Sequence, residues 1–131
     1  MTRAVRLLFF TQTIGCDTCP QAKQILDELP PLSERIAIEE VNLVLDKDRA
    51  ARFGVDRAPA IAITYEDAPP GALKDSRIRF WGTPAGYEFI SLVQAVLLVG
   101  GGRESSLTDA SKTALAAVDR PLTLQVFTTP T

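Results

Sequence analysis

Histidine is absent from this chain of 131 residues, which also contains only two cysteines and one tryptophan. Without histidine, nucleophilic sites of the Ser-His or Cys-His type are excluded. Zinc sites are also hard to build, because four ligands are needed and the two cysteines supply half of them. A zinc ion would require two chains to pool their cysteine pairs, so no metal and no other bound cofactor is expected.

An excess of one charge is lacking as well. Fourteen basic and sixteen acidic residues leave a net charge of −2, and because the signs are interspersed, nucleic acid is not an expected partner. The most apolar segment, 90–99, is about half the length that spans a bilayer, and the apolar run after Arg6 is too short for a signal peptide. The sequence therefore predicts a soluble, cytoplasmic protein with no membrane contact.

Both cysteines lie in the stretch Gly-Cys-Asp-Thr-Cys-Pro, residues 15–20. An apolar run that predicts a strand buried on both faces, 3–11, comes before it, and a helical pattern of apolar residues follows (Ala22, Ile25, Leu26 and Leu29). With Cys16 or Asp17 as N-cap, both cysteines would lie in the first helical turn. A cysteine pair at this spacing between a strand and a helix is typical of thiol–disulfide exchange, although two ordinary buried thiols would fit the same residues.

The middle of the chain predicts an α/β domain. A second strand over 36–43 is followed by a short helix over 47–53, whose N-cap is Asp46. Two further strands are predicted over 61–64 and 77–81. Because the loop between them has no helical pattern, these two strands are expected to form an antiparallel pair.

The C-terminal part predicts two helices and one more strand. The longest helix is expected to begin with Thr83 as N-cap and to end at the glycines 100–102, which completes a βαβαββα order. A helix over 108–119 and a strand over 122–127 follow. Since an unpaired apolar strand is a liability, this strand is expected either to dock on a sheet edge of its own chain or to exchange with a neighbouring chain.

This element order, with Cys-x-x-Cys after the first strand and Ala-Pro before the third, resembles the thioredoxin and glutaredoxin superfamily. The segments Gly-Val-Asp-Arg-Ala-Pro-Ala (54–60) and Arg-Ile-Arg-Phe-Trp-Gly-Thr-Pro-Ala-Gly-Tyr-Glu-Phe (77–89) are similar to the N-terminal unit of the two-unit protein disulfide oxidoreductases. The resemblance implies a thioredoxin-like three-layer fold with a four-stranded mixed sheet over 1–102. It also implies that 103–131 is a linker helix and the first strand of a second thioredoxin-like unit, truncated at its end.

The chemistry of the cysteines assigns their roles. The attacking species in disulfide exchange is a thiolate, which the free N–H groups and partial positive charge of a helix N-terminus favour. Cys16, nearer the exposed end, is predicted to attack, and Cys19 to resolve the mixed disulfide. Asp17 is predicted to hold the reduction potential toward the reducing end of a range of roughly −270 to −120 mV. Arg57 either offsets Asp17 or is a salt-bridged surface residue.

The resemblance adds a substrate-binding element and an activity. It implies that Pro59 is cis and faces the cysteines, so that Ala58 offers its backbone to an extended substrate; an ordinary turn proline is the alternative. The implied enzyme is a protein disulfide oxidoreductase that acts on protein disulfides or dithiols and is served by a thioredoxin-reductase-like partner. Two alternatives stay open, a glutaredoxin-like reaction of Cys16 with glutathione and a redox-inactive docking module for a second unit or a partner flavoprotein.

Overall fold

A computed structural model describes residues 1–68 and 70–128 of the chain. Its sheet has four strands in the order β2-β1-β3-β4, with bounds β1 Ala4–Thr11, β2 Ile36–Asn42, β3 Ala60–Glu66 and β4 Lys74–Trp81. Strand β1 is parallel to β2 and antiparallel to β3, and β3 is antiparallel to β4. The predicted four-stranded mixed sheet and its antiparallel third and fourth strands are therefore confirmed.

Within the described residues, four α-helices and one short 3-10 turn connect and flank these strands. Their bounds are α1 Cys19–Leu26, α2 Lys47–Arg52, α3 Tyr87–Val99 and α4 Asp109–Ala116, with the 3-10 turn at Pro30–Leu32. Apolar residues of α1 and α3 pack with one face of the sheet, and those of α2 pack with the other. This is the predicted three-layer arrangement. No helix within the described part of the chain is long and apolar enough to cross a bilayer.

Strand β1 explains why the sequence begins with a continuous apolar run. Leu7 and Phe9 belong to the core cluster that contains α1 and α3, while Leu8 and Phe10 belong to the cluster on the α2 face. Successive side chains of a strand point to opposite faces, so a central strand covered on both sides must be apolar at every position. This buried strand leads directly into the loop that carries the cysteines.

The starts of α3 and β4 differ from the prediction. Helix α3 begins at Tyr87 rather than directly after Thr83, because Gly86 has a φ of 62° and interrupts helical geometry, so the predicted N-cap is wrong. Strand β4 begins at Lys74, earlier than predicted. Its pairing with β3 shifts register at a bulge where Arg77 has a φ of 67°, and this bulge breaks the alternation expected of the strand.

Residues 103–128, the C-terminal arm, form a helix but no strand. Thr108 caps α4 as predicted, accepting a hydrogen bond at Oγ1 from the Ser111 N–H at 3.1 Å. The predicted strand over 122–127 is wrong: its residues pair with no described strand, and Leu124 and Phe127 are 87% and 90% exposed. A strand needs a hydrogen-bonding neighbour, and this segment does not reach either edge of its own sheet. Exchange with a neighbouring chain stays a prediction, and residues 129–131, where the second unit was expected to be cut off, lie outside the described residues.

Candidate redox site

Cys16 and Cys19 form a disulfide with a Cα–Cα distance of 5.5 Å. Cys19 is the first residue of α1 and is only 3% exposed, whereas Cys16 precedes the helix and is half-buried. Another molecule can therefore reach the Cys16 sulfur more easily than the Cys19 sulfur. Cys16 faces the surface and Cys19 lies against the core.

The helix begins later than the sequence indicated. Its N-cap is Thr18, so the expectation that both cysteines lie in the first turn is wrong for Cys16. The Cys19 N–H donates to the Cys16 carbonyl at 3.4 Å, which closes a turn before the helix starts. Pro20 then falls within the first helical turn, where its missing N–H needs no partner. The disulfide still holds the Cys16 sulfur beside the N-terminus of α1.

An open groove of about 300 Å³ borders the disulfide. The two cysteines line it together with residues from the end of β1, the start of α1 and the end of β2 (Thr11, Gln12, Thr13, Pro20, Lys23 and Glu40). The Lys23 Nζ contacts the Asp27 carboxylate at 2.6 and 2.7 Å. This hydrogen bond, with a smaller contribution from Glu40, raises the pKa of Lys23. The groove therefore holds one cation and one carboxylate beside the sulfur atoms.

Sequence reasoning missed both charged residues of the groove. Lys23 follows Cys19 by one helical turn, which places the two on the same face of α1. Glu40 is opposite Phe9 in the parallel β1–β2 pair, near the strand ends from which the cysteine loop leaves. These two positions in the sequence, one helical turn after Cys19 and opposite Phe9, were the signals that could have identified Lys23 and Glu40. Within the described residues, no cluster of three or more acidic, cysteine or histidine side chains is placed to hold a metal ion.

The peptide bond between Ala58 and Pro59 is cis, as the resemblance implied. The Pro59 carbonyl accepts a hydrogen bond from the Gly82 N–H at 2.9 Å, and the next residue, Thr83, donates from Oγ1 to the Thr18 carbonyl at 3.5 Å. The turn at 82–83 thus connects the proline loop to the loop between the cysteines. No described residue makes a hydrogen bond to the backbone of Ala58.

The two predicted tuning residues are both exposed. Arg57 pairs with Asp56, with Nε 2.9 Å from Oδ1, and its guanidinium carbon lies 5.3 Å from the centre of the Trp81 ring. The Arg57 hydrogen bond lowers the pKa of Asp56, and the same bond raises the pKa of Arg57. Asp17 lies between the cysteines without a described hydrogen bond. The roles of Asp17 and Arg57 in tuning stay predictions.

Comparison with known sequences finds relatives but no matching family model. A protein named "Probable Thioredoxin" from Methanothermobacter thermautotrophicus is 27% identical over 79 residues, which are 60% of this chain and 80% of that protein. A protein named "NADH dehydrogenase" from Ferdinandcohnia aciditolerans is 39% identical over 77 residues. The match covers 59% of this chain and 11% of that much longer relative.

Two solved structures share the fold over most of the chain. The N-terminal domain of the alkylhydroperoxide reductase AhpF from Enterococcus faecalis superimposes with a TM-score of 0.73 at 24% identity, covering 88% of this chain and 53% of that one. A protein disulfide oxidoreductase from Aeropyrum pernix gives a TM-score of 0.71 at 25% identity, covering 89% and 48%. This chain therefore spans about half the length of each solved chain.

These comparisons confirm the resemblance that the sequence motifs indicated. The structural neighbours are an AhpF N-terminal domain, a protein disulfide oxidoreductase and thioredoxins. The chain has the thioredoxin fold and carries a cysteine pair at Cys-x-x-Cys spacing. Together, the fold and the cysteine pair supply what thiol–disulfide exchange requires, two sulfur atoms within bonding reach beside the N-terminus of a helix.

Proposed function

We propose that this thioredoxin-fold chain exchanges dithiol for disulfide with protein substrates through Cys16 and Cys19. The observation that carries the proposal is the unequal burial of the pair, in which Cys16 borders a groove and Cys19 is 3% exposed. A sulfur atom that attacks another protein must be accessible, whereas the resolving sulfur only has to reach its neighbour. Cys16 is therefore the attacking residue.

In the reducing direction, the Cys16 thiolate attacks one sulfur atom of a substrate disulfide. A mixed disulfide forms, the substrate S–S bond breaks, and one substrate thiolate leaves. The Cys19 thiolate then attacks the Cys16 sulfur, which forms the Cys16–Cys19 disulfide and releases the second substrate thiolate. Two electrons pass to the substrate, whose thiolates take protons from solvent, and the chain is left in its disulfide form.

We further propose that substrate binds as an extended segment along Ala58. The support is a backbone without described hydrogen-bond partners, in a loop that the turn at 82–83 connects to the cysteine loop. Strand addition uses such free N–H and C=O groups and is tolerant of substrate sequence. Pro59 is buried and donates no N–H, so it terminates the pairing on that side.

Asp17 and Arg57 are proposed to adjust the potential of the pair in opposite directions. Asp17 places a negative charge next to the attacking sulfur, which disfavours the thiolate. The pairing of Arg57 with Asp56 offsets much of its charge, so its effect is proposed to be the weaker of the two. With Asp17 beside it, the Cys16 thiol is consequently proposed to be less acidic, and the Cys16–Cys19 dithiol to be a stronger reductant, than without that negative charge.

A thioredoxin-reductase-like flavoprotein is the proposed source of electrons. Two likenesses support a reductase-linked partner: the similar fold within alkylhydroperoxide reductase AhpF, and the similar segment within a protein named NADH dehydrogenase. A pair that cycles between dithiol and disulfide suits a reducing compartment, where such bonds are transient. We therefore propose that the exchange takes place in the cytoplasm.

The C-terminal arm is proposed to lead into a second thioredoxin-like unit, with residues 1–102 as the first. The support is that the arm leaves its large apolar side chains exposed, and that both solved chains are about twice as long as the part this chain covers. Where no second unit follows, the segment 122–127 is proposed to pair with a neighbouring copy in a strand-exchanged dimer.

Reduction of insulin by dithiothreitol tests the catalytic proposal. Wild-type chain is expected to accelerate the precipitation of reduced insulin, and Cys16→Ser is expected to return the rate to that of dithiothreitol alone. Equal rates for wild type and Cys16→Ser would contradict catalysis and favour the docking module. An assay with glutathione in place of dithiothreitol tests the glutaredoxin-like alternative. If that alternative holds, Cys16→Ser abolishes the reduction of a glutathione mixed disulfide, whereas Cys19→Ser does not.

A further inference from the structure

Arg79 is a largely buried arginine of β4 that reaches across to the end of α2. Its side chain is 16% exposed, and its guanidinium carbon lies 5.5 Å from the centre of the Phe53 ring. A buried guanidinium is costly unless its N–H groups are bonded. Here they donate to the Asp75 carboxylate at 2.6 and 2.8 Å, to the Phe53 carbonyl at 3.0 Å and to the Ile78 carbonyl at 3.1 Å. The guanidinium is therefore fixed in one position.

The bulge in β4 brings the Asp75 carboxylate to this arginine. Residues four apart in an unbroken strand are separated by about 13 Å. In β4, however, the four steps from Asp75 to Arg79 lie opposite only two steps of β3, from Thr64 to Ala62, which span about 7 Å. The bulge residue Arg77 has a φ of 67°, rare for a residue other than glycine, and its N–H donates to Asp75 Oδ1 at 2.8 Å. The strained backbone and the ion pair thus form one unit.

The carbonyl that Arg79 binds stands at the start of the proline loop, residues 54–59. Phe53 is the C-cap residue of α2, and carbonyl groups at the end of a helix have no partner within the helix. The Arg79 Nε supplies that partner from β4. The arginine therefore ties the end of α2, and with it the first residue of the loop, to the neighbouring strand.

The other end of the proline loop is tied to the same strand and the turn after it. The guanidinium carbon of Arg57 lies 5.3 Å from the centre of the Trp81 ring, and the Pro59 carbonyl accepts from the Gly82 N–H at 2.9 Å. Ala58 lies between these two contacts. The backbone proposed to meet substrate is thus held between fixed points on both sides.

We propose that Arg79 is a positioning residue for protein substrates, which fixes the proline loop through the Phe53 carbonyl while Asp75 holds the guanidinium in place. This inference rests on the proposed binding of an extended segment along Ala58. A loop that is already ordered presents its N–H and C=O groups to that segment without a further loss of entropy. Without the arginine, the substrate has to order the loop, so binding weakens while the chemistry of the cysteines stays the same.

The test compares a protein disulfide with a small disulfide that has no peptide backbone. Full-length Arg79→Met, which loses the N–H donors but keeps an apolar stem, is reduced, freed of reductant and mixed with insulin or hydroxyethyl disulfide. The second-order rate constant with insulin is expected to fall about tenfold, as for the loss of one charge-assisted hydrogen bond, and that with hydroxyethyl disulfide to change less than about twofold. Amide exchange is expected to accelerate in the proline loop but not in β1, and the reduction potential against glutathione to stay unchanged.

A second variant and a control accompany this measurement. Asp75→Asn weakens the hold on Arg79 without removing it, so the rate with insulin is expected to fall about threefold and the loop to exchange faster. This variant decides the question with the same measurements if Arg79→Met does not fold. Arg6→Met is the control, because Arg6 also pairs with two carboxylates, which belong to β2 and β3. It is expected to leave both rates and the exchange of the loop unchanged.

Each other outcome overturns the proposal. Equal loss with both disulfides, or a shifted reduction potential, would mean that the substitution acts on the cysteines themselves. An unchanged rate with insulin would mean that order in the proline loop does not serve substrate binding. An equal loss for Arg6→Met would reduce the effect to general destabilisation. A wild-type chain that reduces neither disulfide would instead refute the proposed function, and this inference with it.

Discussion

Helices α1 and α4 have the same length, eight residues, but they differ in what surrounds them. Helix α1 buries Cys19, Ala22 and Leu26, whereas α4 buries no residue and leaves Leu115 57% exposed. Both helices carry apolar residues on one face. The difference shows that an amphipathic pattern creates a surface suited to burial, but burial itself needs a second element that covers the surface.

The same contrast extends to the two apolar strand-like segments. Strand β1 pairs with neighbours on both sides and is covered by helices on both faces, while the segment 122–127 has neither a strand partner nor a covering helix among the described residues. We therefore expect the stability of the molecule to reside in residues 1–102 and to be almost independent of the arm. Three predictions test this difference, in order of decreasing effect.

The largest effect is expected from removing matched leucines of the two helices. Leu26→Ala leaves a cavity against the sheet and should lower the free energy of unfolding by about 2–5 kcal/mol. Leu115→Ala removes an exposed side chain and should change it by less than about 0.5 kcal/mol. Urea unfolding followed by the fluorescence of Trp81, the single tryptophan, measures both. Comparable losses would show that α4 packs on the main body in solution.

An intermediate effect is expected from removing matched helix caps. Asp46 Oδ1 accepts from the Arg49 N–H at 3.3 Å at the start of α2, as Thr108 Oγ1 does from Ser111 in α4. Asp46→Ala should cost about 1 kcal/mol of global stability. Thr108→Ala should leave the unfolding midpoint unchanged and instead speed amide exchange within 109–116. A shifted midpoint for Thr108→Ala would contradict the independence of the arm.

The smallest effect concerns pH. Hydrogen bonds and charge from Arg49, and to a smaller extent Arg6, lower the pKa of Glu39 in the folded state. A lowered folded pKa means that the unfolded chain binds the proton more tightly, so this stabilisation is present above the usual glutamate pKa of about 4.3 and is lost as the pH falls through the folded value.

Glu39→Gln should therefore flatten the decline in stability below about pH 4.5, by less than about 1 kcal/mol because the pair is partly exposed. Urea unfolding at a series of pH values measures the slope. Asp119→Asn is the control, since its ion pair with Arg120 lies within the arm. An unchanged slope for Glu39→Gln would mean that the ion pairs contribute nothing to folding.

Local patterns were sufficient to predict much of the fold. The continuous apolar run of β1, the Asp46 cap and the glycines after α3 each act through neighbouring residues, and each prediction is confirmed. The start of α3 was missed because glycine permits a positive φ without requiring it, so the sequence does not show that Gly86 adopts a φ of 62°. The strand over 122–127 was mispredicted because pairing depends on a distant partner.

The redox site, like the fold, has parts that the sequence motifs predicted and parts that they did not. The cysteine pair and the proline loop were predicted from motifs, because the order of elements brings both to one end of the sheet. Lys23 and Glu40 became apparent only from the groove that the start of α1 and the end of β2 line together. The exposure of Ile14 and Leu45 was missed, since apolar residues in loops look like core residues until their surroundings are known.

Trapping of the mixed disulfide tests the central claim most directly. A Cys19→Ser chain, reduced and mixed with a protein disulfide, should accumulate a covalent adduct whose mass and peptide map place the bond on Cys16, because no second sulfur atom is left to resolve it. Cys16→Ser should form almost no adduct, because Cys19 is buried at the start of α1. Equal trapping by the two variants, or trapping on Cys19 alone, would contradict the assignment of Cys16 as the attacking residue.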